Sequence, residues 1–156
     1  MVCALVLDQL SKARVRALLD LGESIHVGGP LYLTHVRNTG SVFGLGQGYV
    51  IVPTIGSLVI LLAIPLILRH LYIRYATVPT SFESLCVGLI VGGAIGNLID
   101  RLTLAGVTDF FDVALTPSYH WPAFNVADMC IVGGTLLLFI AIMRRGSGGV
   151  AHDAAV

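Results

Sequence analysis

Two aspartates offer the most chemistry in this sequence. They are Asp109, in Val107-Thr108-Asp109-Phe110-Phe111, and Asp128, in Phe124-Asn125-Val126-Ala127-Asp128. They lie nineteen residues apart, at the two ends of a connection between apolar segments. A connection between adjacent antiparallel helices returns to the depth where it left, so the two carboxyls can meet at one membrane surface. Two carboxylates in a semi-apolar pocket do not both ionise readily: one pKa rises and the pair shares a proton. The ionised member can then activate a water while the protonated one polarises a scissile carbonyl. That is peptide hydrolysis without metal or covalent intermediate. The same spacing also suits an ion path or a proton relay.

A second polar group lies upstream, in Gly96-Asn97-Leu98-Ile99-Asp100-Arg101. Asn97 and Arg101 are four apart and share a helix face; Asn97 and Asp100 are three apart and are also neighbours. A charge at the bilayer centre costs at least ~2.5 kcal/mol. Such residues persist in a span when they are paired, face a bundle interior or perform a function. An internally paired structural cluster and a direct functional role are equally good readings of these three.

Other catalytic sets fit poorly. There is no His-Glu-x-x-His, and His26, His35, His70, His120 and His152 are dispersed, which argues against a zinc peptidase. Ser11 and Lys12 are adjacent, so on a helix they do not face each other. No Gly-x-Ser-x-Gly elbow and no phosphate loop is present. Cys3, Cys86 and Cys130 are widely spaced and lie in apolar stretches, forming neither a disulfide frame nor a metal site. The formal net charge is zero, so no basic surface for nucleic acid is expected.

The elements that must position these residues are membrane elements. The chain is 56% hydrophobic and 12% charged, with a mean hydropathy of +0.89. Soluble domains carry about 25% charged residues. Tyr49–Leu68 is twenty residues without a charge, enough for one crossing. Ser84–Ile99 and Phe124–Met143 are two more, the last stopped by Arg144 and Arg145. Met1–Leu7 is brief and runs into Asp8, Lys12, Arg14 and Arg16; it crosses only if its continuation to about Leu21 stays helical near the interface. Leu31-Tyr32-Leu33-Thr34-His35-Val36 alternates as a short strand or hairpin does, followed by the glycine-rich turn Asn38–Gly44. Bare strand edges are not tolerated in lipid, so this piece belongs at the membrane surface. Tyr119, Trp121, Phe110 and Phe111 are placed as interfacial aromatics. Residues 1–145 form one domain, and the Gly- and Ala-rich 146–156 reads as a disordered tail. With four crossings, residues 8–48 and 104–123 share one side and both termini the other. The flanking basic residues tie and do not say which side is inside.

Five blocks, in order, resemble the lipoprotein signal peptidase family, also called signal peptidase II. They are Asp8-Gln9-Leu10-Ser11-Lys12, Arg37–Phe43, Gly92–Arg101, Val107–Phe110 and Phe124–Asp128. The resemblance covers Asp8 to about Met143; each block is modestly specific, and five in order are highly so. It implies an all-α membrane protein, a four-transmembrane-helix bundle with a small extracytoplasmic β-cradle. Asp109 and Asp128 match the family's catalytic aspartates. Asn38, Asn97, Asp100, Arg101 and Asn125 match its polar shell around substrate and dyad. Asp8, with Lys12 in the same block, matches a structural position on the first helix. The implied substrate is a diacylglyceryl-modified prolipoprotein, cut just before its lipidated cysteine in the bacterial cytoplasmic (inner) membrane. The globomycin type of cyclic peptide is the implied inhibitor, wedged between the aspartates. No cofactor and no metal are implied, and the partners are the substrate and membrane lipids. The match sets 8–48 and 104–123 outward, where residues 31–47 would clamp the peptide. A monomer is the simplest assembly.

The sequence departs from the family in three places. The stretch before Asp8 is shorter than usual, Thr108 stands where the family commonly has Val, and Asp112 is an extra acid, read as solvated. A small transporter or channel would use the same charges as a path, but no internal repeat is visible. A non-catalytic assembly factor would tolerate loss of either aspartate.

Overall fold

A computed structural model describes residues 1–40, 51–74, 76 and 78–153, from 146 on as backbone only. The Ser41–Gly44 part of the glycine-rich turn lies outside the described residues, as do Tyr49, Val50 and residues 41–47 of the expected clamp.

The order is α1 (Val2–Leu18), β1 (Ser24–Gly28), β2 (Leu31–Asn38), α2 (Ile51–Arg74), α3 (Ser81–Leu104), β3 (Val107–Thr116), β4 (Tyr119–Phe124) and α4 (Val126–Asp153). Among the described residues three helices are long and apolar enough to cross a membrane: α2, α3 and the Val126–Arg145 part of α4. α1 has 17 residues and carries Lys12, Arg14 and Arg16. Its buried positions, Ala4, Asp8, Lys12 and Val15, recur at three or four residues and so form one stripe. The helical backbone of α4 continues beyond Arg145 into the Gly- and Ala-rich stretch.

α3 is the central helix. Within its span window 44% is buried, against 11% for α2 and 17% for α4, whose outward apolar side chains suit lipid. It packs against α1, α2 and α4. Small residues allow the close approach: a Cβ on Gly93 would meet the Ala127 carbonyl, and one on Gly134 would lie 2.9 Å from the Cys86 carbonyl. The N-terminus of α3 is closed by a reciprocal cap. Thr80 Oγ1 accepts from the Glu83 N–H at 3.1 Å, and Glu83 Oε2 accepts from the Thr80 N–H at 2.7 Å.

The sheet is larger than the sequence suggests. Its four strands run antiparallel in the order β1-β2-β3-β4, so residues 107–116 and 119–124 are strands where the sequence reading had a loop. Two features hide them. Thr108, Asp109 and Asp112 break the apolar alternation of β3, and β4 holds Pro122, which only an edge strand tolerates. Phe110 is also not an interfacial residue. It is 3% exposed and packs with Val15 of α1 and with Leu19, the residue that ends that helix, fixing the sheet to the helices. Tyr119 and Trp121 remain exposed.

Candidate active site

The sequence Asn125-Val126-Ala127-Asp128 opens α4 with a reciprocal cap. The Asp128 N–H donates to Asn125 Oδ1 at 2.9 Å, and the Asn125 N–H donates to Asp128 Oδ2 at 3.2 Å. Asparagine suits an N-cap because its side-chain oxygen satisfies an otherwise unpaired helix N–H. The cap holds the Asp128 carboxyl at the positive end of the helix dipole.

The rest of the Asn125 amide reaches the other carboxyl. Its Nδ2 donates to Asp109 Oδ1 at 2.6 Å and to Asn97 Oδ1 at 3.2 Å. Asn97 Nδ2 in turn donates to Asp128 Oδ1 at 2.8 Å. Asp109, on β3, receives a second donor from β2, where Asn38 Nδ2 lies 2.9 Å from its Oδ2. Two asparagine amides, Asn125 and Asn97, therefore link the two aspartates, and Asn38 adds a further donor to Asp109. Burial pushes the Asp109 carboxyl up to about 7, and the neighbouring Asp128 charge adds to the shift. The Asn38 and Asn125 donors oppose it. A carboxyl that holds its proton near neutral pH beside a second carboxyl can serve in acid–base chemistry.

Beneath this pair lies a buried charge network. Lys12 Nζ is fully buried and lies 2.8 Å from Asp8 Oδ2, 2.8 Å from Asn97 Oδ1 and 3.6 Å from Asp100 Oδ2. Asp8 also accepts the Ala127 N–H at 2.9 Å, so α1 satisfies a second N–H of the α4 N-terminus. Asp100 accepts the Thr108 N–H at 2.9 Å, tying α3 to the start of β3.

Arg101 turns away from this network. Its Nη1 donates to Ser57 Oγ on α2 at 3.1 Å and to the Asn97 carbonyl at 3.4 Å. Its charge still acts on Asp128, Asp109 and Asp100. All nine residues singled out by sequence thus fall in one region, with Asn97 contacting Lys12, Asn125 and Asp128.

Sequence reasoning missed Gln9, Arg16 and Ser57. Gln9 Nε2 donates to Asp8, to the Gly96 carbonyl and to Asp100. Arg16 reaches Thr108 and Asp100. A signal for Arg16 existed: Asp8, Lys12 and Arg16 recur every four residues along one helix. Ser57 is a small hydroxyl in an apolar helix and gave no signal.

One further reading is corrected, and one histidine is placed in the interior. Asp112 is not solvated: it accepts from Thr34 Oγ1 at 2.8 Å and pairs with His120 Nδ1 at 2.6 Å, away from the two carboxyls. His35 is buried, with Nδ1 2.9 Å from the Leu19 carbonyl. Among the described residues no group of three or more His, Cys, Asp or Glu is placed to hold a metal ion.

Three apolar helices, a small antiparallel sheet and an amide-linked pair of carboxyls define a polytopic membrane protein with an acid–base site. The family profile described as Signal peptidase (SPase) II matches residues 1–144, and the chain belongs to that family. It is 39% identical over 142 residues to the lipoprotein signal peptidase of Syntrophomonas wolfei, covering 90% of this chain and 88% of that one. To the lipoprotein signal peptidase of Moorella thermoacetica it is 39% identical over 139 residues, covering 86% and 83%. A bacterial membrane enzyme solved by the in meso method at 2.3 Å superimposes with a TM-score of 0.77 at 30% identity, over 94% of this chain and 87% of that one. A second, at 1.9 Å, gives 0.69 at 29% identity, over 90% and 88%. The chain is therefore a bacterial membrane peptidase of the signal peptidase II type.

Proposed function

We propose that this protein is an aspartic endopeptidase that removes the signal peptide from diacylglyceryl-modified prolipoproteins just before the lipidated cysteine. The observation that carries the reading is the hydrogen-bonded circuit Asp109–Asn125–Asn97–Asp128. It holds two carboxyls in fixed relation, in a site where one keeps its proton near neutral pH. The proton sits on Asp109, which polarises the scissile carbonyl. Asp128 carries the charge at the α4 N-terminus, where the dipole favours an anion, and takes a proton from the attacking water. The tetrahedral intermediate collapses as the amine leaves with a proton, and the pair returns to its single-proton state. Asn38, Asn97 and Asn125 orient the carboxyls. Arg101 supports the site electrostatically, and Asp8, Lys12 and Asp100 join α1, α3 and α4 beneath it. The reaction uses no metal and no cofactor.

The substrate's lipid anchor requires an enzyme in the same bilayer. In this reading α1 supplies a fourth crossing of the cytoplasmic membrane. The sheet forms a cradle at the extracytoplasmic surface, beside the carboxyls. Residues 1–145 make up the peptidase unit, which acts as a monomer.

The test is cleavage of a diacylglyceryl-modified prolipoprotein by the purified protein, with and without EDTA, comparing wild type with Asp109→Asn and Asp128→Asn. Cleavage by wild type that EDTA leaves unchanged, together with two folded but inactive variants, is the expected result. Activity in either folded variant would overturn the assignment of the pair.

A further inference from the structure

α1 grips β3 at two alternate positions. Phe110 packs on Val15 and Leu19, an apolar contact without directional preference. Thr108, 3% exposed, is held by a directional contact, with Arg16 Nη1 2.9 Å from its Oγ1. Successive strand side chains point to opposite faces, so Thr108 and Phe110 present the face that α1 holds and Asp109 presents the other. The Thr108 N–H is fixed as well, by Asp100 Oδ2 at 2.9 Å.

Arg16 is not the nearest polar partner of Asp100. That carboxylate already has Lys12 at 3.6 Å and Gln9 at 3.3 Å, and Arg16 stands 3.8 Å from it, farther than from the Thr108 hydroxyl. The main contact of Arg16 is therefore with the residue before Asp109.

We propose that Arg16 and Thr108 form a clasp that sets the height and rotation of β3 and so aims the Asp109 carboxyl at its partner. Arg16 is then a positioning residue for the peptidase reaction. The proposal rests on Asp109 acting in that reaction. The clasp supplies a restraint that the apolar packing of Phe110 cannot, because sliding β3 along α1 preserves hydrophobic contact but breaks a hydrogen bond.

The experiment uses the full chain with diacylglyceryl-modified prolipoprotein. Arg16→Met keeps most of the side-chain stem and Thr108→Val keeps the shape. Each is expected to lower kcat about 10-fold, as a small misplacement of a reacting group does. KM and the folded fraction should stay near wild type. The double variant should be no worse than either single one, and Arg16→Lys should recover part of the loss. Loosening Asp109 from its Asn38 and Asn125 donors should also move the alkaline limb of the pH–rate profile upward. An unchanged kcat in both single variants would overturn the clasp. So would losses explained by folded fraction alone, with the alkaline limb unmoved. Asp109→Asn is run alongside: if it cuts at the wild-type rate, the reading of the site fails and the clasp fails with it.

Discussion

Asn125 donates its amide N–H to Asp109 at 2.6 Å while its carbonyl oxygen accepts the backbone N–H of Asp128. One side chain thus caps the helix that carries one carboxyl and restrains the other. Its replacement should separate two effects. Asn125→Ala loses both and should destabilise by about 1 kcal/mol through the cap and lower kcat about 10²-fold through misalignment. Asn125→Asp keeps the capping oxygen but loses the Nδ2 donor and adds a third carboxyl. It should retain more stability than Asn125→Ala yet be at least as inactive. Thermal unfolding in detergent and kcat, measured on the same preparations, check both.

The raised pKa of Asp109 has consequences for activity and for stability. Activity needs one proton on the pair, so the rate should fall as pH rises through about 7, where Asp109 loses its proton. The Asn38 hydrogen bond lowers that pKa, so Asn38→Ala should move the alkaline limb to higher pH. For stability, the unfolded chain releases the proton near 3.8 and the folded one near 7. The native state binds more protons throughout that window, so the Asp109 contribution to stability falls as pH rises across it. Asp109→Asn should therefore gain stability relative to wild type as pH rises from 4 to 8, and the difference should level off above about 7. Melting temperatures of the pair across pH, and a pH–rate profile, measure the two effects.

What was legible in the sequence follows from how strongly each position is constrained. Asn97, Asn125 and Asp128 were visible because polar groups in or beside apolar helices are costly and stand out. Asp109 was visible from its place at the other end of the connection to Asp128, and Asn38 only through the resemblance to the family. The strand at 31–36 showed through its alternation, and the structure extends it to Leu31–Asn38. β3 and β4 were not visible, because side chains that serve the site interrupt their alternation. Asp112 was misread because its partners Thr34 and His120 are 78 and 8 residues away, and pairing across strands leaves no local trace. Arg16 was readable as sharing a helix face with Asp8 and Lys12, but not as a partner of β3. Its role depends on which face of α1 meets β3.

The Asp8–Lys12 pair is fully buried, so its halves should not be separable. Lys12→Met leaves Asp8 and Asp100 without their shared cation and should cost about 3–5 kcal/mol, the usual result of stranding a buried charge. Asp8→Leu should cost a comparable amount, because it also removes the acceptor for the Ala127 N–H. The double variant Asp8→Leu with Lys12→Met should lose much less than the sum of the single changes, since no isolated charge on α1 remains. Chemical unfolding of the four proteins closes the cycle. An additive result would show that the pair is not the coupled unit its geometry implies.

Two glycines offer a sharp contrast in the same kind of element. At Gly96 a Cβ would run into Asp8 Oδ2, and Asp8 is held by Lys12, Gln9 and the Ala127 N–H, so it has no room to withdraw. Gly96→Ala should therefore push α1 from α3 and cost about 1–3 kcal/mol, the range for overpacking a close contact. It should also lower activity, because the displaced carboxylate supports the α4 N-terminus. At Gly133 nothing lies within 4 Å of an added Cβ. Alanine there gains helix propensity of up to about 1 kcal/mol without a clash. Gly133→Ala should melt at or above the wild-type temperature with full activity. A Gly96→Ala protein as stable as Gly133→Ala would mean that α1 can move away from α3 freely, and that the buried network beneath the carboxyls is not rigid.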